Sequence, residues 1–273
     1  MIKFNFDKFF ADFYSNQPID HESIKAAIYS LRTGGKRYRF LLSMETAKTY
    51  NLQDDENAKR LAVAIELIHN YSLIHDDLPC MDDADERRGL PSCQKKFGEA
   101  QAVLAGDGLL NLAAEILFDG QSSKQYLAAS KYLFEASGFS GMIQGQSIDV
   151  RNQRLNLEEY TRLAALKTSR LITASVISQA INAMRSQQEI SLLEEYCNLL
   201  GIIYQFADDT FDEEEDIFKP SILAYFDASN AKKHIFTLAN QAYDVLKKLT
   251  ENCLDCNYDF LKQRLQSVLD RLD

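Results

Sequence analysis

Apolar residues recur at helical spacing along most of this chain. In residues 58–76 they stand at Leu61, Ile65 and Ile68, and a second apolar stripe includes Leu67. A helix with two apolar stripes is expected to be buried on most of its sides. The same periodicity predicts helices over residues 103–118, 163–181 and 192–211, and the C-terminal segment 231–272 is amphipathic.

The composition supports a helical fold. Only 11 Gly and 4 Pro occur in 273 residues, so the chain has few residues that favour tight turns. This scarcity argues against a β-sandwich, a β-barrel or a Rossmann unit, and no segment has a convincing strand pattern. We therefore predict one all-α domain over residues 1–273, with roughly ten or more helices.

Charge and cysteine usage exclude several classes of protein. The 30 basic and 40 acidic residues give a net charge of −10, which argues against a nucleic-acid-binding protein with a broad basic surface. Residues 1–10 carry charge throughout, so a signal peptide is not expected. No apolar run approaches about 18 residues, so stable membrane insertion is not expected. The 5 scattered cysteines, an odd number, predict reduced thiols and a cytoplasmic location.

The first cluster of candidate functional residues is acidic. Asp76, Asp77, Asp82, Asp83 and Asp85 follow an apolar helix that is predicted to be interior. Carboxylates crowded in this way are unfavourable unless a cation neutralises them or water reaches them. No set of thiols or imidazoles accompanies them, so a hard cation such as Mg²⁺ fits best. A solvated acidic loop is the competing interpretation.

A second apolar helix also ends in acidic residues. Asp208 and Asp212 lie on one helix face, Asp209 lies between them, and Gln205 precedes Asp208 by about one turn. Acidic side chains at a helix C-terminus oppose the helix dipole, which weakens the interpretation as an ordinary acidic loop. Because substrate phosphates commonly complete the coordination of Mg²⁺, two acidic helix ends that face a cavity suggest a metal-bridged diphosphate.

Basic residues suited to a diphosphate occur in two short segments. Two adjacent glycines precede Lys36 and let the backbone approach an anion closely, and Arg39 follows three positions after Lys36. Arg87 and Arg88 come shortly after the first acidic cluster. As neighbours they point in different directions, so they suit two different anions.

Two further polar residues interrupt apolar helices. His69 lies two turns before Asp76 on the same helix face, and Lys167 interrupts an otherwise apolar pattern. A lone histidine is more often a hydrogen-bonded core residue, and a lone lysine is often a snorkelling side chain. For both residues the structural and the functional interpretation stay open.

In combination, these motifs resemble those of the trans-polyprenyl diphosphate synthase family. The run Ser72–Asp83, continued by Arg87-Arg88-Gly89, is similar to the family's first aspartate-rich motif. The other matching segments occur in the family's order and cover most of residues 30–225. They are Gly34-Gly35-Lys36-Arg37 with Arg39, Phe97–Ala100, Ala105–Asp107, Gly141–Gln146 with Asp149, Lys167-Thr168, and Gln205 with Asp208-Asp209 and Asp212.

The resemblance implies a helical bundle around a central cavity and a magnesium-dependent prenyltransferase. Such an enzyme would condense isopentenyl diphosphate with dimethylallyl or geranyl diphosphate to give farnesyl diphosphate and diphosphate. The resemblance further implies three Mg²⁺ ions per active site and a homodimer. The expected partners are small isoprenoid diphosphates.

The resemblance also implies roles for individual residues. The implied metal ligands are carboxylates at the two acidic helix ends: Asp76 and Asp82 with Asp77 in support, and Asp208 with Asp209 and Asp212 nearby. The residues implied to hold the allylic diphosphate are Arg87, Lys167 and Lys219. Those implied to hold isopentenyl diphosphate are Lys36, Arg39, His69 and Arg88. Thr168 and Gln205 would line the path of the carbocation.

The implied product length depends on two residues before the first aspartate. Tyr71 and Ser72 would form the floor of the cavity, and the bulk of Tyr71 predicts a fifteen-carbon product. Residues 212–219 are short for the family, which usually has a longer, glycine-containing loop before its last lysine. Ser169 and Gln144 stand where the family usually has glycine.

Three other functions stay open on the sequence alone. A geranylgeranyl diphosphate synthase would differ in product length. A class I terpene cyclase is disfavoured by the Asp-Asp-x-x-Asp pattern that starts at Asp208 and by a basic set suited to a second diphosphate. An inactive regulatory subunit is disfavoured because Asp76, Asp208, Lys36 and Arg88 are all present.

Overall fold

The computed structural model describes residues 21–120, 123–151, 153–211 and 220–272. Helices dominate this part of the chain. The α-helices are α1 (Glu22–Arg32), α2 (Tyr38–Thr49), α3 (Glu56–Asp76), α4 (Cys93–Phe97), α5 (Glu99–Phe118), α6 (Lys124–Ser137), α7 (Met142–Asp149), α8 (Leu157–Ala164), α9 (Arg170–Asn182), α10 (Gln187–Asp209), α11 (Ala228–Asn252) and α12 (Asp259–Leu269). A π-helical turn (Ala165–Ser169) and two 3₁₀ turns (Ile222–Ala224 and Asp270–Leu272) complete the helical elements.

One short β-hairpin follows the first acidic cluster. Strands β1 (Glu86–Arg87) and β2 (Leu90–Pro91) pair antiparallel. Arg88 and Gly89 form the two-residue turn, with φ of 59° and 74°, as a primed hairpin turn requires. The sequence analysis predicted no strand here, because two-residue strands are too short to show a period.

The backbone packs into two compact units, each assembled from two separate stretches. The first contains the described residues up to Tyr38 together with Glu66–Ile116, and the second contains Arg39–Ile65 and the described residues from Leu117 onward. The sequence prediction of one domain over residues 1–273 stays a prediction.

The core of the second unit is built around α9. All residues from 171 to 180 are buried, and this helix packs against α6 and α10. The buried Gln179 side chain is anchored through its amide nitrogen, which donates to Ser43 Oγ at 2.9 Å and to the carbonyl oxygen of Ala58 at 2.8 Å. Its amide oxygen has no hydrogen-bond partner among the described residues. Buried polar groups are tolerated where such partners exist.

The predicted helix over residues 163–181 is present but is not continuous. Residues Ala165–Ser169 form a π-helical turn between α8 and α9. An Asn156–Glu159 capping box starts α8, so its beginning is set locally. The π turn has no comparable local signal, and turns of this kind are often found at functional sites.

The segment 231–272, predicted to be amphipathic, forms two helices, α11 and α12. They are separated at residues 253–258, where helical hydrogen bonding stops after the Cys253 N–H donates to the carbonyl of Leu249. Both helices present buried aliphatic residues at helical spacing. The prediction of an all-α fold is therefore confirmed, and the amphipathic C-terminal segment forms two helices.

Helix α5 is apolar enough to raise the question of a membrane. Among the described residues it is the one helix long and apolar enough to cross a bilayer, and a little under half of it is buried. Core helices of globular proteins commonly have the same properties.

Candidate active site

The first acidic helix end folds back on itself. Asp76 is the last residue of α3, and the chain then turns so that the Asp82 N–H donates to the Asp76 carbonyl oxygen at 2.9 Å. The turn is closed by two further bonds, from Met81 N–H and Asp83 N–H to the Leu78 carbonyl. The two predicted metal ligands are thus neighbours in space. Asp76 is half-buried and Asp82 is exposed.

Asp77 forms a hydrogen-bonded ion pair with Arg87. Its carboxylate is only 1% exposed and accepts from Arg87 Nε at 2.9 and 2.8 Å and from Nη2 at 2.6 Å. Burial lowers the pKa of the Arg87 guanidinium, but the bond to Asp77 and the charges of Asp77, Asp76 and Asp82 raise it more. This bidentate pair fixes the orientation of Arg87 beside the acidic turn.

Arg88 lies over the glycine pair that precedes Lys36. Gly34 and Gly35 have φ of 94° and 113°, and a Cβ at Gly35 would stand 2.7 Å from Arg88 Cζ. Arg88 donates to the Gly34 carbonyl oxygen. The positive φ values therefore favour glycine at both positions, and the Arg88 guanidinium lies against Gly35.

Arg37 within the basic segment has a structural partner. Its guanidinium donates to Glu66 Oε1 at 3.0 Å and to the Leu31 carbonyl oxygen, and Glu66 is 2% exposed. Lys36 is exposed and Arg39 is half-buried. The charge of Arg37 therefore neutralises a buried carboxylate.

A small cleft in the first unit brings two arginines together. Its lining includes Asp77, Arg87, Arg88, Asn70 and Thr33. Burial lowers the pKa of Arg88, and so do the like charges of Arg37 and Arg87. An anion in this cleft would relieve that repulsion.

The candidate floor residues lie one turn before the first aspartate. Tyr71 is buried, and its ring meets that of His75 edge-on at 5.8 Å. Burial and then the charge of Asp76 raise the pKa of Tyr71 to about 12. Ser72 Oγ donates to the carbonyl of His69 at 2.9 Å, and the side chain of His69 is half-buried.

In the second unit, the π turn carries Lys167 and Thr168. Two glycines allow other helices to approach its backbone: a Cβ at Gly145 would stand 2.4 Å from Lys167 N, and one at Gly201 would stand 2.4 Å from Ser169 Oγ. The half-buried Lys167 ammonium is paired with Asp149. The lysine is therefore held by a carboxylate and is not a free snorkelling side chain.

Thr168 and Gln205 are in direct contact. Thr168 Oγ1 donates to Gln205 Oε1 at 2.7 Å, and Gln205 Nε2 donates to Asp209 Oδ1 at 2.9 Å. These are two of the polar residues that the sequence assigned to the path of a carbocation. The structure brings them together at the junction of the π turn and α10.

The two neighbouring aspartates at the end of α10 differ sharply in environment. Asp208 is half-buried and pairs with Arg271 Nη2 at 2.6 Å. Asp209 is 6% exposed and accepts from Tyr160 Oη and from the Ile222 N–H. Asp208 is thus the one with access to solvent.

The remaining two predicted site residues, Asp212 and Lys219, lie outside the described residues. Within the described ranges, no three His, Cys, Asp or Glu side chains are gathered closely enough to hold a metal by themselves.

Three residues at these sites were not assigned a role from the sequence. Tyr160 holds Asp209, Arg271 pairs with Asp208, and Asp149 pairs with Lys167. Only Tyr160 had a usable signal, because it stands two helical turns before Lys167 and so lies on the same face.

Known proteins match this chain both in structure and in sequence. The model superposes on the crystal structure of a geranyltransferase from Helicobacter pylori complexed with magnesium and isoprenyl diphosphate, with a TM-score of 0.81 and 30% identity, covering 97% of this chain and 94% of that one. The fold is that of the helical prenyltransferases. The polyprenyl synthetase family model matches residues 21–253, and the chain belongs to that family.

Curated relatives agree with this assignment. A farnesyl diphosphate synthase of Bacillus subtilis is 40% identical over 196 residues, which are 70% of this chain and 66% of the relative. One from Escherichia coli is 34% identical over 262 residues, 89% of this chain and 86% of the relative. The predicted family and the predicted activity class, prenyl transfer, are confirmed.

Proposed function

We propose that this chain condenses isopentenyl diphosphate with dimethylallyl or geranyl diphosphate, giving farnesyl diphosphate and diphosphate. The observation that carries the proposal is the acidic turn after α3, where the Asp82 N–H bonds to the Asp76 carbonyl in a chain of the polyprenyl synthetase family. The names of its bacterial relatives support farnesyl diphosphate as the product.

The proposed metal ligands are Asp76 and Asp82 at the first helix end and Asp208 at the second. All three reach solvent, whereas Asp77 is engaged by Arg87. Mg²⁺ bound there would draw charge onto the diphosphate and so favour cleavage of the allylic C–O bond. The magnesium complex of the Helicobacter pylori structure supports the choice of ion, and three ions per site stay a prediction.

Two groups of cations are proposed to hold the two diphosphates. Arg87 and Lys167, each oriented by a carboxylate, would contact the allylic diphosphate. The second group, proposed for isopentenyl diphosphate, is Lys36, Arg39, His69 and Arg88. Lys219 is kept as a proposed ligand of the allylic diphosphate on the family resemblance alone.

The chemistry divides between bond cleavage and bond formation. The allylic C–O bond breaks and its electron pair leaves with the diphosphate. The double bond of isopentenyl diphosphate then attacks the allylic cation, and a proton is lost to the released diphosphate. Thr168 and Gln205 would present oxygen lone pairs to the cation, which stabilises it electrostatically.

The direct test is an incubation of the purified chain with radiolabelled isopentenyl diphosphate and each allylic primer, followed by product sizing. We expect a fifteen-carbon product that disappears when EDTA removes the metal. A twenty-carbon product would instead establish the geranylgeranyl alternative. No turnover in the presence of Mg²⁺ would contradict the proposed enzyme and favour a regulatory subunit.

Product length is expected to depend on the buried Tyr71 ring. Tyr71→Ala removes the buried ring that meets His75 edge-on and should shift the major product to twenty carbons or more. Tyr71→Phe is the matched control, because it keeps the ring and should keep the fifteen-carbon product. Chromatography of the dephosphorylated products measures both. An unchanged product from Tyr71→Ala would contradict the floor assignment.

Two properties rest on the sequence and the family. The five cysteines are all free thiols, which supports a reducing compartment and hence the proposed cytoplasmic location. The family resemblance supports a homodimer. Light scattering after size exclusion should give twice the chain mass of 31.1 kDa, and a monomeric mass would contradict it.

A further inference from the structure

A continuous chain of hydrogen bonds runs from Thr168 into the interior of the second unit. Thr168 Oγ1 donates to Gln205 Oε1 at 2.7 Å, and Gln205 Nε2 donates to Asp209 Oδ1 at 2.9 Å. Asp209 Oδ2 accepts from Tyr160 Oη and from the Ile222 N–H, the latter at 2.8 Å. Asp209 thus accepts bonds from three different groups.

Because Asp209 is buried, its carboxylate depends on these hydrogen bonds. The residue is only 6% exposed, and a buried carboxylate is tolerated when donors surround it. Asp208, one position earlier, is half-buried and pairs with Arg271 instead. The two aspartates of the same motif therefore occupy chemically different sites.

The direction of the chain follows from what each group is able to do. An ionised carboxylate only accepts hydrogen bonds, so the Gln205 amide must turn its NH₂ group toward Asp209. Its carbonyl oxygen then faces Thr168 and accepts the hydroxyl proton. With that proton engaged, Thr168 Oγ1 has only lone pairs to offer any other neighbour.

The Tyr160 hydroxyl is held as the hydrogen-bond donor to Asp209. The residue is 1% exposed, and its ring stacks on Phe206 at 5.5 Å and on Tyr225 at 5.8 Å. Burial, followed by the charge of Asp209, raises the pKa of its phenol well above the ordinary value. The hydroxyl therefore keeps its proton, and the stacked rings fix where it points.

We propose that Asp209 and Tyr160 are positioning residues that fix the orientation of the Gln205 amide, so that the oxygens of Gln205 and Thr168 face the allylic cation. This inference rests on the proposed function. It gives Asp209 a role different from the metal ligand that the sequence suggests. Asp208 keeps the metal role at this helix end.

The two roles predict different kinetics. Asp209→Asn leaves the size of the side chain unchanged but lets it donate as well as accept, so the Gln205 amide is no longer held in one orientation. A misplaced positioning group typically costs up to about 100-fold in rate. We expect kcat to fall by about that factor, with the half-saturating Mg²⁺ concentration within about twofold of wild type, because no metal ligand is lost.

Tyr160→Phe tests the same chain of hydrogen bonds at a residue that has no metal-binding group. It should lower kcat in the same direction as Asp209→Asn, again without changing the Mg²⁺ requirement. Tyr132→Phe is the matched control: Tyr132 Oη also donates to a carboxylate, Glu194 Oε1, at 2.7 Å, outside the hydrogen-bonded chain. Its kcat should stay within about twofold of wild type.

A double-substitution cycle separates positioning from a general structural effect. In a Gln205→Leu background there is no amide to orient, so Asp209→Asn should cost less than about threefold further. Full additivity, an unchanged kcat in both single variants, or a several-fold increase in the Mg²⁺ requirement of Asp209→Asn would each overturn the proposal. If Asp209→Asn does not fold, the same cycle is measured with Tyr160→Phe and Gln205→Leu, and the same outcomes support or overturn the proposal.

The activity of the wild-type chain distinguishes a failure of the proposed function from a failure of this inference. If wild-type chain makes no prenyl product, the proposed function fails and this inference falls with it. If the wild type is active and the variants give any of the overturning results, only the inference fails.

Discussion

Asparagine in place of Asp76 is expected to lower kcat by about 100-fold or more, as is typical when one electrostatic contact to a developing charge is removed. Asp76 stands at the end of α3, and its backbone carbonyl holds Asp82 beside it. Asparagine has nearly the same size and keeps the backbone bond, so the turn should survive. What is lost is negative charge at the proposed Mg²⁺ site. Initial rates over a range of Mg²⁺ concentrations measure the effect.

Asp83→Asn is the matched control for this substitution. Asp83 is exposed and adopts a φ of 46°, a conformation that asparagine tolerates well. It removes one charge from the same turn without touching a proposed ligand. We expect a kcat within about threefold of wild type. Equal losses in the two variants would mean that the turn acts only through its total charge, which would contradict the assignment of Asp76.

Local patterns explain why much of the fold could be predicted. Helix α3 was predicted over 58–76 and is found at Glu56–Asp76, because its apolar stripes and the acidic turn after it are both visible in nearby residues. The acidic and basic motifs are likewise contiguous in sequence. Features of this kind depend on spacing along a single helix or turn, and spacing is what a sequence displays.

The details of the candidate site depend on partners far apart in sequence. Arg37 lies within the basic motif next to Lys36, yet it neutralises Glu66, 29 positions away. Asp209 looked equivalent to Asp208, yet Tyr160, 49 positions earlier, donates to it from the core. No local pattern distinguishes these residues, because burial and pairing are set by tertiary packing. The π turn was missed for the same reason, since Gly145 and Gly201 shape the surroundings of its backbone from other helices.

A methyl group at Gly145 is expected to be strongly disruptive. Gly145 is buried in α7, and a Cβ there would stand 2.4 Å from Lys167 N and 2.7 Å from Lys167 Cα. Both are backbone atoms, so no side chain is able to rotate out of the way, and the π turn must shift. Gly145→Ala should therefore lower the free energy of unfolding by about 1–3 kcal/mol, as overpacking of a core does.

The same shift should also lower activity, because Lys167 and Thr168 lie on the displaced turn. A displacement of about 1 Å at positioning groups costs on the order of 100-fold in rate, so we expect kcat to fall even at temperatures where the variant stays folded. Urea unfolding and initial rates at low temperature measure the two effects separately.

Gly108→Ala provides a control with the opposite expected sign. Gly108 also lies inside a helix, α5, but is exposed, and a Cβ there would meet nothing within 4 Å. Alanine should raise the free energy of unfolding by about 0.5–1 kcal/mol, because it has the higher helix propensity and restricts the unfolded chain. If Gly145→Ala were instead stabilising like Gly108→Ala, the close contact between α7 and the π turn would be wrong, and with it the account of how Lys167 and Thr168 are placed.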